Sequence, residues 1–294
     1  MQKKSLHRSF TGWLLFIVLS LVWGSSFILM KLGMEALSPF QVASIRMLSA
    51  GIVLLPFALN AFKTVEKSKR RMVLLSGLLG SFFPAYLYCI AETRIDSSVA
   101  AIFNSFTPLF TILIGTIFFK LSSGLKKLPG VLLGFAGLVL LPFTAEKGIN
   151  FSDLSYSLLV LIATVCYACN VNLVSRYLSA SGSLNVVSMS FCFLLFPSVA
   201  ILALTGFFSL PLISQPFLRA TVASCTLGII GTAIATVLFY MLVKHAGALF
   251  ASLVTYGIPV VAVIWGLIYG EHVTVLQMIC LAIILAGVYI VNKK

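Results

Sequence analysis

Negative charge is scarce in this chain: seven Asp and Glu stand against twenty Lys and Arg in 294 residues, and charged residues make up only 9% of the whole. None of the seven acids falls near the middle of a long apolar run, so the intramembrane carboxylate that proton- and sodium-coupled carriers often use is missing. Polar surface is scarce too. With 60% hydrophobic residues and a mean hydropathy of +1.11, the chain cannot clothe a water-soluble globule, and its solvent is a lipid bilayer. There is no phosphate-binding glycine loop of the ATPase type. The three histidines, His7, His245 and His272, lie at the edges of apolar runs and form no nucleophile–base or metal-ligand cluster, so no catalytic residue, metal or cofactor is expected. The six cysteines all fall inside apolar runs, where Cys behaves as a small hydrophobe, and the Cys166-x-x-Cys169 pair reads as packing.

What is present is a series of apolar stretches bounded by charges or turn residues. Spanning a bilayer takes roughly 20 residues per helix, which places spans near 11–32, 40–61, 72–91, 97–119, 127–144, 154–176, 184–207, 219–243, 247–270 and 273–292. The fold expected is an all-α integral membrane bundle of ten transmembrane helices. Short connectors leave no room for a soluble domain. The opening Met1–Arg8 segment resembles a secretory signal, but the run after it is long and Leu21-Val22-Trp23 precedes no small-residue cleavage site, so a retained first helix is expected.

Alternating the loops between two sides puts fifteen basic residues, including Lys63, Lys67, Lys69, Arg70, Arg71, Lys120, Lys126 and Lys127, on the side of the N-terminus. The other side receives only Lys31, Arg94, Lys147 and Arg219. Positive charge marks the cytoplasmic face, so both termini are expected to be cytoplasmic. Nucleic acid is excluded as a partner, because the basic residues sit in loops rather than on one patch. Nothing in the sequence specifies an oligomeric state.

The chain also repeats itself. At an offset of 151, Ala100 falls on Ala251, Pro108 on Pro259 and Gly115 on Gly266, with Lys120 opposite Glu271. A weaker match sets Trp23-Gly24 against Tyr167-Ala168, and Pro56 and Pro197 close the second and seventh spans. Two halves follow, 1–145 and 146–294. Five spans per half force the second copy to enter from the opposite side, an inverted repeat that offers a route to alternating access.

With Trp23-Gly24-Ser25-Ser26-Phe27 in the first span, Arg46 in the second, the segments leading to Pro108 and Pro259, and Gly270-Glu271 before Gln277 and Ala286-Gly287, the sequence resembles the EamA-type transporters of the drug/metabolite transporter superfamily over nearly its whole length. The resemblance implies a ten-helix fold with a central cavity lined mainly by the first, third, fourth, sixth, eighth and ninth helices. It also implies export of a small polar metabolite such as an amino acid, and a place in a bacterial inner membrane. Phe119-Lys120 departs from the Gly270-Glu271 of the second half, and Tyr167 stands where the sixth helix often carries Trp.

Polar groups inside spans must find partners or water. On that ground the candidate substrate-binding residues are Arg46, as anchor for a carboxylate or as a structural cation, together with Asn104, Asn170 and Tyr256. Trp23, Tyr86 and Tyr167 join them as aromatic walls on helices that the resemblance places at the cavity. Asn170 and Asn172 cannot share one helix face. Pro84, Pro108 and Pro259 free backbone carbonyls and mark candidate helix breaks or gates. The partners expected are a small-molecule substrate and the lipid bilayer. The alternative reading is a flippase for a lipid or lipid-linked headgroup, which would need a basic pocket open to the bilayer.

Overall fold

The computed structural model describes residues 2–95, 100, 103–120, 126–140, 154–268 and 274–292. These form an all-α, multi-pass membrane bundle. Its helices are α1 (Gln2–Met34), α2 (Pro39–Thr64), α3 (Lys67–Ala91), α4 (Thr107–Phe119), α5 (Leu128–Leu140), α6 (Leu154–Leu173, prolonged by a π-turn over Val174–Leu178) and α7 (Ser183–Leu204). Then follow α8 (Gln215–Ala246), α9 in two pieces (α9a, Ala248–Ser252; α9b, Val254–Ile268) and α10 (Val275–Asn292). Six of them, α1, α2, α3, α6, α7 and α8, are long and apolar enough to cross a membrane; α4, α5, α9 and α10 provide shorter apolar helices.

Local chemistry sets the ends. Ser38 caps α2 by accepting from the Gln41 amide at 3.3 Å while Gln41 Oε1 accepts from the Ser38 amide at 2.9 Å, a reciprocal box that closes two orphan donors. The Gln41 side chain then donates to Thr205 O at 3.0 Å, tying the start of α2 to the end of α7. Gly247, at φ +88°, turns the chain between α8 and α9a, a conformation open to glycine. In the basic connection between α2 and α3, Glu66 accepts from Lys69 at 2.9 Å and Arg70 donates to Phe62 O at 2.8 Å.

Apolar side chains lie on both surfaces of the bundle. Leu19, Met47, Phe191 and Leu194 are fully buried, whereas Phe196 and Leu204 are 83% and 86% exposed, as suits a solvent of hydrocarbon. The strongest helix pairs are α2 with α7 and α5 with α10. α1 packs on α9b and α8, and α6 packs on α4 and α3. Exchanging each helix of the first five with its counterpart in the second five returns the same pattern.

Small residues set the closest approaches. Lipid tails are as apolar as the side chains and give no hydrophobic drive to association, so helices in a membrane gain from close backbone packing. A Cβ on Gly287 of α10 would fall 2.6 Å from Gly134 Cα and 2.7 Å from Gly130 O on α5. Gly287→Val is expected to force α5 and α10 apart at a cost of about 1–3 kcal/mol, read as a lower thermal unfolding midpoint in detergent. Gly12→Ala, whose new Cβ meets ordinary contacts at 3.8 Å, is expected to leave the midpoint unchanged.

Candidate functional site

Near the middle of α3 and α8 the helices loosen into π-turns, over Leu78–Phe82 and Ile229–Ile234. The sequences there are Gly77-Leu78-Leu79-Gly80-Ser81 and Gly228-Ile229-Ile230-Gly231-Thr232, related by the same offset of 151 that aligns α4 with α9. In α3 the cause is visible: Pro84 has no amide for the Gly80 carbonyl, and the π-turn re-spaces the ladder so that the Phe83 amide reaches Leu78 O. Glycine lets a neighbouring helix close on each turn. A Cβ on Gly80 would lie 2.7 Å from Asn170 Cγ on α6, and one on Gly231 would lie 2.8 Å from Ser26 Oγ on α1.

Between these turns lies a central cavity, with about 110 Å³ open to the centres of water molecules. That is room for roughly ten waters, or one molecule of about ten non-hydrogen atoms. α1 contributes Trp23, Ser26, Phe27 and Met30; α6 contributes Tyr167, Asn170 and Val171. α3 and α8 supply Gly80, Ser81 and Tyr88 opposite Gly231, Thr232, Thr236, Phe239 and Tyr240. Asn104 and Thr107 come from the chain entering α4, and Ser252, Thr255 and Ile258 from α9. Arg46 reaches in from α2 and is the one charged residue among the described wall.

Arg46 Nε donates to Thr232 Oγ1 at 2.6 Å, and the Thr232 hydroxyl donates on to Leu227 O at 3.1 Å. The charges of Arg46 and of the buried Glu92, one turn beyond Tyr88, both bear on the Tyr88 hydroxyl and the Cys89 thiol. Asn170 Oδ1 accepts from Tyr240 at 3.1 Å, and Trp23 Nε1 donates to Gly231 O at 3.0 Å. The Tyr88 hydroxyl is buried with no hydrogen-bond partner, a state costing about 1–3 kcal/mol unless a ligand or water meets it. Four of the six aromatic rings in the described wall form two pairs across the space. Trp23 and Phe239 have centroids 5.2 Å apart, and Tyr88 and Tyr167 6.2 Å apart.

Five of the seven residues expected to bind substrate therefore come together: Trp23, Arg46, Asn104, Tyr167 and Asn170. Tyr86 and Tyr256 do not. Tyr86 lies two residues before Tyr88, turned by about 200° on the helix, and its hydroxyl bonds Ser44 on α2 at 2.7 Å while its ring packs on Phe82. Tyr256 sits beside the wall residue Thr255 but faces α5, where its hydroxyl donates to Val131 O at 3.0 Å. Asn172 also points away from the cavity, donating to Thr111 O at 3.0 Å and to Ala168 O at 2.9 Å.

Of the prolines, Pro108 lies in the first turn of α4, after a break at Ser105–Phe106, and Pro259 lies inside α9b, after a break at Leu253. Each removes the amide that would serve the carbonyl four residues back, which belongs to Asn104 and to Thr255. Thr107 Oγ1 donates to the Asn104 carbonyl at 2.6 Å.

Ser26, Ser81, Tyr88, Thr232, Thr236, Phe239, Tyr240 and Ser252 were not among the candidates. Extending the repeat to α3 and α8 would have found Ser81 with Thr232 and Tyr88 with Phe239; the offset of 144 that aligns Trp23 with Tyr167 pairs Ser26 with Asn170. Tyr86→Phe and Tyr256→Phe are each expected to lower stability by about 1 kcal/mol, measured by thermal unfolding, with ligand affinity unchanged.

Residues 10–143 and 154–293 each match the EamA-like transporter family. The inner membrane transporter YedA of Escherichia coli (strain K12) is 26% identical over 281 residues, covering 93% of this chain and 88% of that protein. The transporter YdfC of Bacillus subtilis (strain 168) is 25% identical over 273 residues, 91% and 86% of the two chains. An E. coli K12 protein described as a probable amino-acid metabolite efflux pump is 25% identical over 259 residues, 88% and 78%. A solved crystal structure with 19% identity superposes with a TM-score of 0.71 over 94% of both chains, which shows a shared fold. The chain is an integral membrane protein of the kind found among bacterial inner-membrane transporters, a transport class and not a catalytic one, and it belongs to the EamA-like transporter family.

Proposed function

We propose that the chain exports a small polar metabolite, an amino acid or related compound, by alternating access at the central cavity. The observation that carries this reading is that the cavity wall is built from repeat-related positions. Trp23, Ser26 and Phe27 correspond to Tyr167, Asn170 and Val171; Gly80, Ser81 and Tyr88 to Gly231, Thr232 and Phe239; Asn104 and Thr107 to Thr255 and Ile258. A site shared equally by two related halves can be presented to either side by rocking one half against the other.

In this reading the halves, 1–145 and 146–294, each supply five membrane spans in opposite orientations, and both termini are cytoplasmic. The charge bias of the loops supports that orientation. Arg46, Asn170 and Asn104 contact cargo, while Pro84, Pro108 and Pro259, with the two π-turns, mark where helices bend as the halves move. The acids lie at span boundaries rather than in mid-span, which favours facilitated efflux without proton coupling over coupling through a boundary acid such as Glu92, Asp96 or Glu271.

Labelled amino acids and related metabolites should show saturable flux in proteoliposomes that is insensitive to an imposed pH gradient. Arg46→Ala and Asn170→Ala should each lower kcat/KM at least about tenfold. Scrambling of a fluorescent lipid in the same vesicles, with no metabolite flux, would replace this reading with that of a flippase.

A further inference from the structure

A second, smaller space lies beyond the central cavity, toward the end of the bundle that carries Arg176 and Lys244. It measures about 10 Å³, the least that holds a water, and sits where the ends of α6 and α8 meet the start of α7. The two spaces follow one stripe on each helix. On α8, Thr236 lines the cavity, Lys244 lines the second space, and Tyr240, one turn from each, lines both. On α6, Asn170 and Val171 line the cavity, and Val174 and Leu178 carry the stripe on into the second space. Tyr240 is the one described residue that the two walls share. From Tyr240 to the end of α8 at Ala246 is about 9 Å by helical rise.

We propose that Tyr240 is the gate between the central cavity and this end of the bundle: its ring plugs the passage, and its hydroxyl, bonded to Asn170, latches α8 to α6. This rests on the reading of the cavity as the transport site and names the residue that closes it on one side. The Tyr240 side chain is buried. Its hydroxyl donates to Asn170 Oδ1 at 3.1 Å, and Ser76 of α3 sits beside the same hydroxyl. One side chain therefore meets α3 and α6 from α8. The fourth helix closes in at the same end, where a Cβ on Gly77 of α3 would lie 2.9 Å from Ser190 Cβ on α7.

The second space also has an adjustable wall. Val174 and Leu178 bound the π-turn that ends α6, a segment whose bonding can be re-spaced without unwinding the helix. The matching positions of the first half are built otherwise. The offsets of 151 and 144 put Cys89 in the place of Tyr240, Leu227 in that of Ser76, and Met30–Met34 in that of Val174–Leu178. Met30–Met34 is regular α-helix, and the Cys89 thiol donates to Met30 Sδ at 3.4 Å. The helices there are tied instead by the bonds of Arg46 to Thr232 and of Trp23 to Gly231. At this pair of matching positions, a ring stands on the Lys244 side and a thiol on the other.

The test uses the full chain in oriented vesicles, with the six native cysteines replaced and Ser26→Cys as the reporter on the α1 wall of the cavity. A membrane-impermeant thiol reagent is applied either to the face that carries Arg176 and Lys244 or to the opposite face. Tyr240→Ala should speed labelling from the Lys244 face at least about tenfold, because access follows the population of the open passage, and should not speed it from the other face. Tyr240→Phe keeps the ring and removes the bond to Asn170, so it should give a rise of about two- to tenfold from the Lys244 face. If Tyr240→Ala does not fold, Tyr240→Phe decides the matter alone. Unchanged labelling from the Lys244 face in the variants that fold, or an equal rise on both faces, overturns the inference. The labelling needs no cargo. A response to Tyr240 in a protein that moves no metabolite would keep the gate and remove the transport reading, whereas metabolite flux with labelling insensitive to Tyr240 would do the reverse.

Discussion

A guanidinium set among apolar helices has to be solvated by something, since hydrocarbon offers it nothing. Arg46 meets that constraint through the Thr232 hydroxyl and through the cavity itself, and Thr232 occupies its place because α8 loosens at Gly231 and Thr232. The Thr232 hydroxyl donates its own hydrogen bond to Leu227 O, five residues back, the spacing that a π-turn brings into reach. The same turn presents the Gly231 carbonyl to Trp23. Charge, helix irregularity and the position of one aromatic wall therefore depend on a single stretch of α8, and altering any one disturbs the others.

The α3 turn carries no charge but repeats the construction. Gly80 brings α6 close enough for Asn170 to meet Tyr240, as Gly231 brings α1 close enough for Ser26 to lie against α8. The pairs α2–α7 and α5–α10 hold the periphery, with contacts that pass backbone to backbone at Gly134 and Gly287. The π-turns and proline breaks supply adjustable segments next to the cavity.

Much of this was legible in the sequence, and the limits have physical causes. Apolar runs locate spans because backbone groups must be satisfied inside hydrocarbon, which leaves few alternatives to helix. Polar residues such as Arg46, Asn104 and Asn170 stand out in such runs and do come together at the cavity. Tyr86 and Tyr256 were misplaced for one reason. A helix that is apolar all round carries no periodic signal of which face looks inward, and the π-turn at Leu78–Phe82 adds a further rotation before Tyr86 and Tyr88. The breaks at Phe106 and Leu253 lie upstream of Pro108 and Pro259, because a proline disturbs the turn before it. Aligned along α3 and α8, the internal repeat identifies Ser81, Thr232, Tyr88 and Phe239.

The central claim is that one cavity around Arg46 communicates with each side of the membrane in turn. Thr236, on the cavity wall and clear of the Arg46 hydrogen bond, offers a position to test it. Thr236→Cys in a background with the six native cysteines replaced can be titrated with a membrane-impermeant thiol reagent applied from the outside or the inside of oriented vesicles. The account predicts labelling from both sides, with faster outside labelling slowing the inside reaction to match as conditions shift the conformational balance. Labelling from one side only, under every condition, would contradict it.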